Sequence, residues 1–150
     1  MNLINDMRNK TKLWIVVAVA AVVMAFSACE RVFSYEYRIV GIWQVSHTYL
    51  NGEAIDSTTY IGFSPGTYYY IYADHMMMVR ALYNGLYRDS VSSYYILDEK
   101  KKTVEFSYSL YGRTYHFTAD IDRLTRKDFF IEFDDEKGNH WRLELFTRSN

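Results

Sequence analysis

Thr103-Val104-Glu105-Phe106-Ser107-Tyr108-Ser109-Leu110 alternates without a break. Val104, Phe106, Tyr108 and Leu110 fall on one side, and Thr103, Glu105, Ser107 and Ser109 on the other. A period of two over this length is the mark of a strand with one buried face. The same rhythm continues downstream. Tyr115, Phe117, Ala119 and Ile121 alternate with His116, Thr118, Asp120 and Asp122. Phe129, Ile131 and Phe133 oppose Asp128, Glu132 and Asp134, and Trp141, Leu143 and Leu145 oppose Arg142 and Glu144.

Turn signals separate these runs: Asn51-Gly52, Ser64-Pro65-Gly66, Asn84-Gly85, Asp98-Glu99-Lys100, Tyr111-Gly112 and Lys137-Gly138-Asn139. Asn-Gly is the strongest, because a type I′ turn needs positive φ at both central positions. The spacing predicts about eight or nine strands, near 39–50, 56–63, 67–73, 75–83, 87–97, 103–110, 113–122, 128–134 and 140–147. Short links favour an antiparallel up-and-down meander, and closure into a barrel removes its two open edges. The fold class expected is therefore all-β.

Working outward, the N-terminus has another character. Arg8, Lys10 and Lys12 precede the apolar run 13–28, which ends at Cys29, the only cysteine. A basic flank, an apolar core and small residues before a cut site describe a secretory signal peptide. The run has 16 residues, which is roughly 24 Å of helix and short of a hydrocarbon core of about 30 Å. Phe26-Ser27-Ala28-Cys29 resembles a bacterial lipobox. That resemblance implies lipidation of Cys29 and removal of residues 1–28; plain secretion and a spanning anchor are the alternatives. Glu30 stands where an aspartate marks inner-membrane retention in some bacteria, so the expected location is the cell envelope, at the outer membrane. Residues 30–38 form a tether of nine residues, reaching at most about 32 Å. Phe33, Tyr35 and Tyr37 on it either rest at the membrane interface or pack under the barrel.

The remaining 122 residues are one domain, 39–150 with its tether, carrying 14 basic and 17 acidic side chains. Nucleic acid is not an expected partner: the one basic cluster, Lys100-Lys101-Lys102, abuts Asp98-Glu99. All 15 tyrosines lie in this part, an ordered and aromatic-rich composition. With Cys29 lipidated no intrachain disulfide can form, so the fold must rest on its core.

Ile39-Val40-Gly41-Ile42-Trp43 opens the first strand, and its Gly41-Ile42-Trp43 resembles the Gly-x-Trp start of lipocalin-like barrels. Glycine allows close backbone approach, and tryptophan plugs one barrel end with a large apolar body. With the later runs 120–129 and 138–143, the chain looks like the small lipocalin-like lipoproteins of gut anaerobes. The resemblance implies a calycin-type barrel. Lipocalins also stack a late arginine on that tryptophan, but Arg142 and Arg148 share the parity opposite to Trp141, Leu143 and Leu145, so the pair stays unassigned.

If Trp43 points inward, parity puts Val45, His47 and Tyr49 inside as well. Together with Phe106, Tyr108, Tyr115, Phe117, Phe129 and Trp141 they would line an aromatic cavity for a small apolar or amphiphilic ligand, with His47, Tyr49, Tyr108 and Tyr115 orienting it. The same residues could instead fill a packed core. In that case a second function class applies: an interaction module that docks on an envelope protein or a glycan. Thr67-Tyr68-Tyr69-Tyr70-Ile71-Tyr72 places tyrosines on both faces of a strand, and an exposed set can stack on sugars.

Catalysis and metal binding find little support. His47, His75, His116 and His140 have no metal spacing, and no context marks a nucleophile elbow. His75-Met76-Met77-Met78 invites copper, but consecutive strand residues point to opposite faces. No cofactor is implied. A transmembrane β-barrel conflicts with runs as short as Asp128–Asp134 and with outward charges.

Overall fold

A computed structural model describes residues 34–56 and 60–148. Cys29, Phe33 and the segment 1–28 lie outside the described residues. A five-residue helix, α1 (Tyr35–Ile39), precedes ten strands: β1 (Gly41–Leu50), β2 (Glu53–Ile55), β3 (Tyr68–Ile71), β4 (Met77–Tyr83), β5 (Leu86–Asp89), β6 (Val91–Asp98), β7 (Thr103–Leu110), β8 (Arg113–Leu124), β9 (Asp128–Asp134) and β10 (His140–Thr147). All pairings are antiparallel, in the order β5-β4-β3-β1-β10-β9-β8-β7-β6, with β2 a short flap on β1. The first strand thus lies beside the last. The remaining seam is bridged where β4 begins, by the Met76–Tyr94 pair and by a Ser90 N–H donating to the Val79 carbonyl at 2.8 Å. The result is a nearly closed up-and-down barrel.

The strands at 103–110, 128–134 and 140–147 coincide with the alternating runs that predict them. Asn51-Gly52 and Asn84-Gly85 both take the paired positive φ of hairpin turns. Two expectations are corrected. The run 87–97 breaks into β5 and β6 at Ser90, whose Oγ, in place of its carbonyl, accepts the Val79 N–H at 2.8 Å while its own N–H still donates to the Val79 carbonyl. The strand expected at 56–63 does not form over its described part. Instead residues 60–64 close a tight turn, in which the Phe63 and Ser64 N–H groups both donate to the Tyr60 carbonyl at 3.0 Å.

That turn folds across the barrel end away from α1. Its Phe63 ring packs on Phe117, Phe133 and Trp141 at centroid distances of 5.4, 5.2 and 5.1 Å. The Thr48 hydroxyl donates to the Phe63 carbonyl, and Tyr69 donates to the Gly62 carbonyl at 2.8 Å. At the other end, the Trp43 indole donates to the Ile39 carbonyl at 2.7 Å and so ties α1 to β1. Tyr35, on α1, is half-buried and packs on the core, whereas Tyr37 is 63% exposed.

The β9–β10 turn is clamped by Asp135. Its carboxylate accepts the Lys137 and Asn139 N–H groups at 2.9 Å each, the Asn139 amide and the Trp141 indole at 3.0 Å each. Desolvation opposes the charge, but these hydrogen bonds outweigh it and hold the carboxyl down at about 2. Such a group stabilises the fold fully above the unfolded aspartate range and loses its effect as pH falls through about 2. Asp135→Ala should cost about 1–2 kcal/mol at neutral pH, and the difference from wild type should vanish in acid. Urea unfolding at neutral pH and near pH ~2 measures both.

Candidate functional site

Seven of the nine residues expected to line the interior do meet there, and they meet as packed core. Trp43 contacts Phe129 at 5.4 Å, Phe129 contacts Phe106 at 6.5 Å and Phe106 contacts Phe117 at 5.6 Å. Phe117 stacks on Phe133 at 4.2 Å, which lies parallel to Trp141 at 6.2 Å. An aromatic column therefore runs from the α1 end to the Phe63 plug. Tyr108 stacks on Tyr115 at 4.9 Å beside it. Trp43, Phe106, Tyr108, Phe129 and Trp141 are buried, and Tyr115 and Phe117 are half-buried beneath Phe63.

His47 and Tyr49 are corrections. β1 pairs Val45 with Leu145 but His47 with Glu144, so Ser46 is an extra residue opposite the partner strand. A bulge of this kind shifts the parity of everything after it. Thr48, not His47, turns inward and is 1% exposed. His47 faces solvent against Glu144 at 3.6 Å, and Tyr49 lies on the outer surface beside Arg142 and His140.

Inside, two hydroxyls are fully enclosed. The one Tyr69 proton goes to the Gly62 carbonyl, so Tyr108 donates in the Tyr69–Tyr108 contact at 3.3 Å. Burial pushes both phenols up; the neighbouring phenol adds to the rise for Tyr108. Gly62 has φ +89°, and a Cβ there would sit 2.9 Å from the Tyr108 hydroxyl. Gly62→Ala should therefore strain the backbone and push on the buried pair, at a cost of roughly 1–3 kcal/mol in thermal or urea unfolding.

Among the described residues, two clefts on the outer surface stand out. One, of about 310 Å³, is bordered by Tyr49, Gly52, His140 and Arg142. Its His140 and Arg142 side chains are already engaged: His140 by Asp134 at 2.8 Å, and Arg142 by Glu144 at 3.1 Å, Asp122 at 3.2 Å and Glu132. The other, of about 360 Å³, is lined by Tyr68, Tyr70, Arg80, Tyr87 and Arg148. Strand parity builds it. Tyr69 and Ile71 turn into the core, so Tyr68 and Tyr70 turn out; Met77, Val79 and Ala81 turn in, so Arg80 turns out. The register places Tyr68 opposite Arg80, and Arg80 opposite Asp89.

Asp89 grips Arg80 through two parallel bonds, Nε to Oδ1 at 2.6 Å and Nη2 to Oδ2 at 2.8 Å. The Arg80 hydrogen bonds hold the Asp89 carboxyl below its ordinary range. This fork sets the guanidinium over the Tyr70 ring at 5.6 Å. Tyr68 sits 6.4 Å from both Tyr70 and Tyr87. Arg148 lies over Tyr68 at 5.8 Å, and its Nη1 donates to the Tyr68 hydroxyl at 3.4 Å. Asp89 offsets Arg80, which leaves Arg148 as the excess positive charge of the cleft. Tyr68 and Tyr70 were visible in the sequence as an exposed tyrosine pair. Arg80 could have been found from the alternation of 77–83, but Tyr87 and Arg148 come from β5 and the chain end, which only the sheet register brings in.

Arg142 and Arg148 both face outward, over Phe130 and Tyr68, and neither reaches Trp43. Among the described residues no group of three histidine, cysteine or carboxylate side chains is placed to hold a metal, and no helix is long and apolar enough to cross a membrane. No family model matches the chain, and no curated protein or solved structure shows significant similarity to it.

Proposed function

We propose that this chain is a lipid-anchored, lipocalin-like module of the bacterial envelope whose barrel is a solid scaffold, and that its Tyr68–Tyr70–Tyr87 cleft docks an acidic glycan. The aromatic column that fills the barrel favours docking over carriage of a small apolar ligand inside it. One observation carries the reading: three half-exposed or exposed phenol rings and two fixed guanidinium groups converge on one outer cleft. Tyrosine faces stack on the C–H faces of sugar rings while their hydroxyls hydrogen-bond to the rim. A guanidinium fork recognises a carboxylate in a bidentate manner. The cleft, at about 360 Å³, has the size of a small-ligand site, for which roughly 300–1,000 Å³ is usual.

The test is a glycan array carrying uronate, sialate and uncharged oligosaccharides, probed with the full chain in detergent micelles. Signal should concentrate on carboxylate-bearing glycans. Tyr68→Ala and Arg148→Ala should each weaken it by about tenfold or more, the effect of losing a stacking ring or a charged hydrogen bond. Silence toward acidic glycans, or undiminished binding by both variants, would overturn the reading. A lipid or pigment recovered at one per chain on solvent extraction would return the site to the barrel interior.

A further inference from the structure

The barrel end that carries α1 differs from the opposite end in what it presents to solvent. Besides the Trp43 indole, two side-chain hydrogen bonds hold α1 there: Arg38 Nη1 donates to the Leu124 carbonyl at 2.9 Å, and the Glu36 N–H donates to the Glu99 carboxylate at 2.8 Å. Around it, the turn after β6 carries Lys100, Lys101 and Lys102, and the turn after β8 carries Arg126 and Lys127, all exposed. The acids beside them are engaged. Asp98 accepts the Lys100 and Lys101 N–H groups and lies 3.8 Å from the Lys101 ammonium, Glu99 is taken by α1, and Asp128 faces Arg123 at 3.3 Å, so Lys100, Lys102, Arg126 and Lys127 are the cations these acids leave over. The chain as a whole is slightly acidic, so this concentration of cations at one end is a polarity. At the other end the β9–β10 turn carries Asp134, Asp135 and Glu136 against Lys137 alone.

Beside the lysines lies a strip of exposed apolar side chains. Tyr72 donates its N–H to the Met76 carbonyl at 3.0 Å, Met76 pairs with Tyr94 across the seam, and Ile96 follows two residues along β6. Tyr72, Met76, Tyr94 and Ile96 are 46, 50, 42 and 53% exposed. Tyrosine and aliphatic side chains with flanking lysines suit a membrane interface, where phenol rings sit at the headgroups and cations meet phosphates. The first residue of α1 is six positions after Cys29, a reach of at most about 22 Å.

From this geometry we infer that the α1 end of the barrel rests on a bilayer with anionic, phosphate-bearing headgroups, with Lys100–Lys102 on the phosphates and the strip from Tyr72 to Ile96 in the interface. The orientation leaves the plug end pointing into water. It rests on the proposed lipidation of Cys29.

The experiment places one nitroxide label at a time on the lipidated full chain, through Ile96→Cys, Lys101→Cys or Glu136→Cys, in phosphatidylglycerol–phosphatidylethanolamine vesicles. Collision with a water-soluble nickel chelate should be at least threefold lower at 96 and 101 than at 136. Equal accessibility at the three positions would overturn the inference. A chain that fails to sediment with the vesicles and carries an unmodified Cys29 refutes the anchor instead. The same labels are then read on an unlipidated chain carrying Cys29→Ser, which leaves the introduced cysteine as the one thiol, added to anionic and to neutral vesicles. Protection of 96 and 101 on anionic vesicles alone upholds the contact surface, and its absence there overturns it.

Discussion

Trp43→Ala is expected to lower the unfolding free energy by roughly 3–5 kcal/mol, the cost of emptying a fully packed tryptophan site. Trp43 is 1% exposed, packs on Phe129 at a tilt of 57° and is the first ring of the aromatic column. Its indole also holds the last carbonyl of α1, so the substitution removes a hydrogen bond that no neighbour replaces. Trp43→Phe should recover part of the loss, because a ring remains against Phe129 while the indole donor does not. Tyr87→Ala, 52% exposed at the rim of the outer cleft, should stay within about 0.5 kcal/mol of wild type. Urea unfolding of the three variants checks the series. A Trp43→Ala cost near that of Tyr87→Ala would mean that the column is not the core of the fold. The contrast also matters for function, because cleft variants that fold like wild type make binding losses interpretable.

Alkaline pH should unfold the protein steeply, by about 2.7 kcal/mol per pH unit once the ordinary tyrosine range near 10 is passed. The cause is the enclosed pair. Tyr69 and Tyr108 have no route to water, and burial raises both phenols well above their ordinary value. In the folded state they keep their protons, while in the unfolded chain they release them near pH 10. The unfolded state thus binds fewer protons, and stability, complete below that pH, falls as pH rises toward the folded values. These two enclosed groups supply that slope, and Tyr95 and Tyr115, whose phenols burial also raises, add to it. Tyr108→Phe keeps the ring against Tyr115 and removes one enclosed group, so the slope should fall by about 1.4 kcal/mol per unit. At neutral pH the variant should lose about 1 kcal/mol, since Tyr69 no longer receives a donor. Stepwise unfolding between about pH 9 and 11.5 checks both, and an unchanged slope in Tyr108→Phe would contradict the assignment.

Much of this barrel was legible because its core strands obey one rule. Where side chains alternate without interruption, as in β7 and in β10 over 140–145, the sequence pattern and the buried face coincide. The rule fails where one residue is added. Ser46 carries no sign in the sequence that it will be passed over by β10, yet it turns His47 and Tyr49 out and Thr48 in. The neighbouring Val45 is held on both sides by the loop at 66–67, through its N–H to the Thr67 carbonyl and its carbonyl to the Gly66 N–H, each 2.8 Å. A contact between residues some twenty positions apart fixes that geometry, and local pattern cannot see it. The segment at 60–66 is a similar case. It holds β-prone residues, but Phe63 turns in to pack on Phe117, Phe133 and Trp141 and closes the barrel end.

The candidate site divides the same way. Tyr68 and Tyr70 could be read from the sequence because three consecutive tyrosines must show at least one ring on each face of a strand. Their arginine partners could not be, because the arrival of Arg148 at Tyr68 depends on β1 lying between β3 and β10. Parity gathered seven of the nine expected interior residues and failed for His47 and Tyr49 beyond the bulge, and whether the seven enclose space or fill it is a matter of ring volumes and of the Phe63 plug.

The central claim is a filled barrel with an outer recognition face, and amide chemical-shift mapping of the full chain in micelles tests it most directly. Titration with an acidic oligosaccharide taken from the array should move the resonances of β3, β4 and β5 around Tyr68, Tyr70, Arg80 and Tyr87, saturably, and leave Phe106, Phe129 and Ile131 in place. Shifts centred on those core residues, or none that saturate, would contradict it.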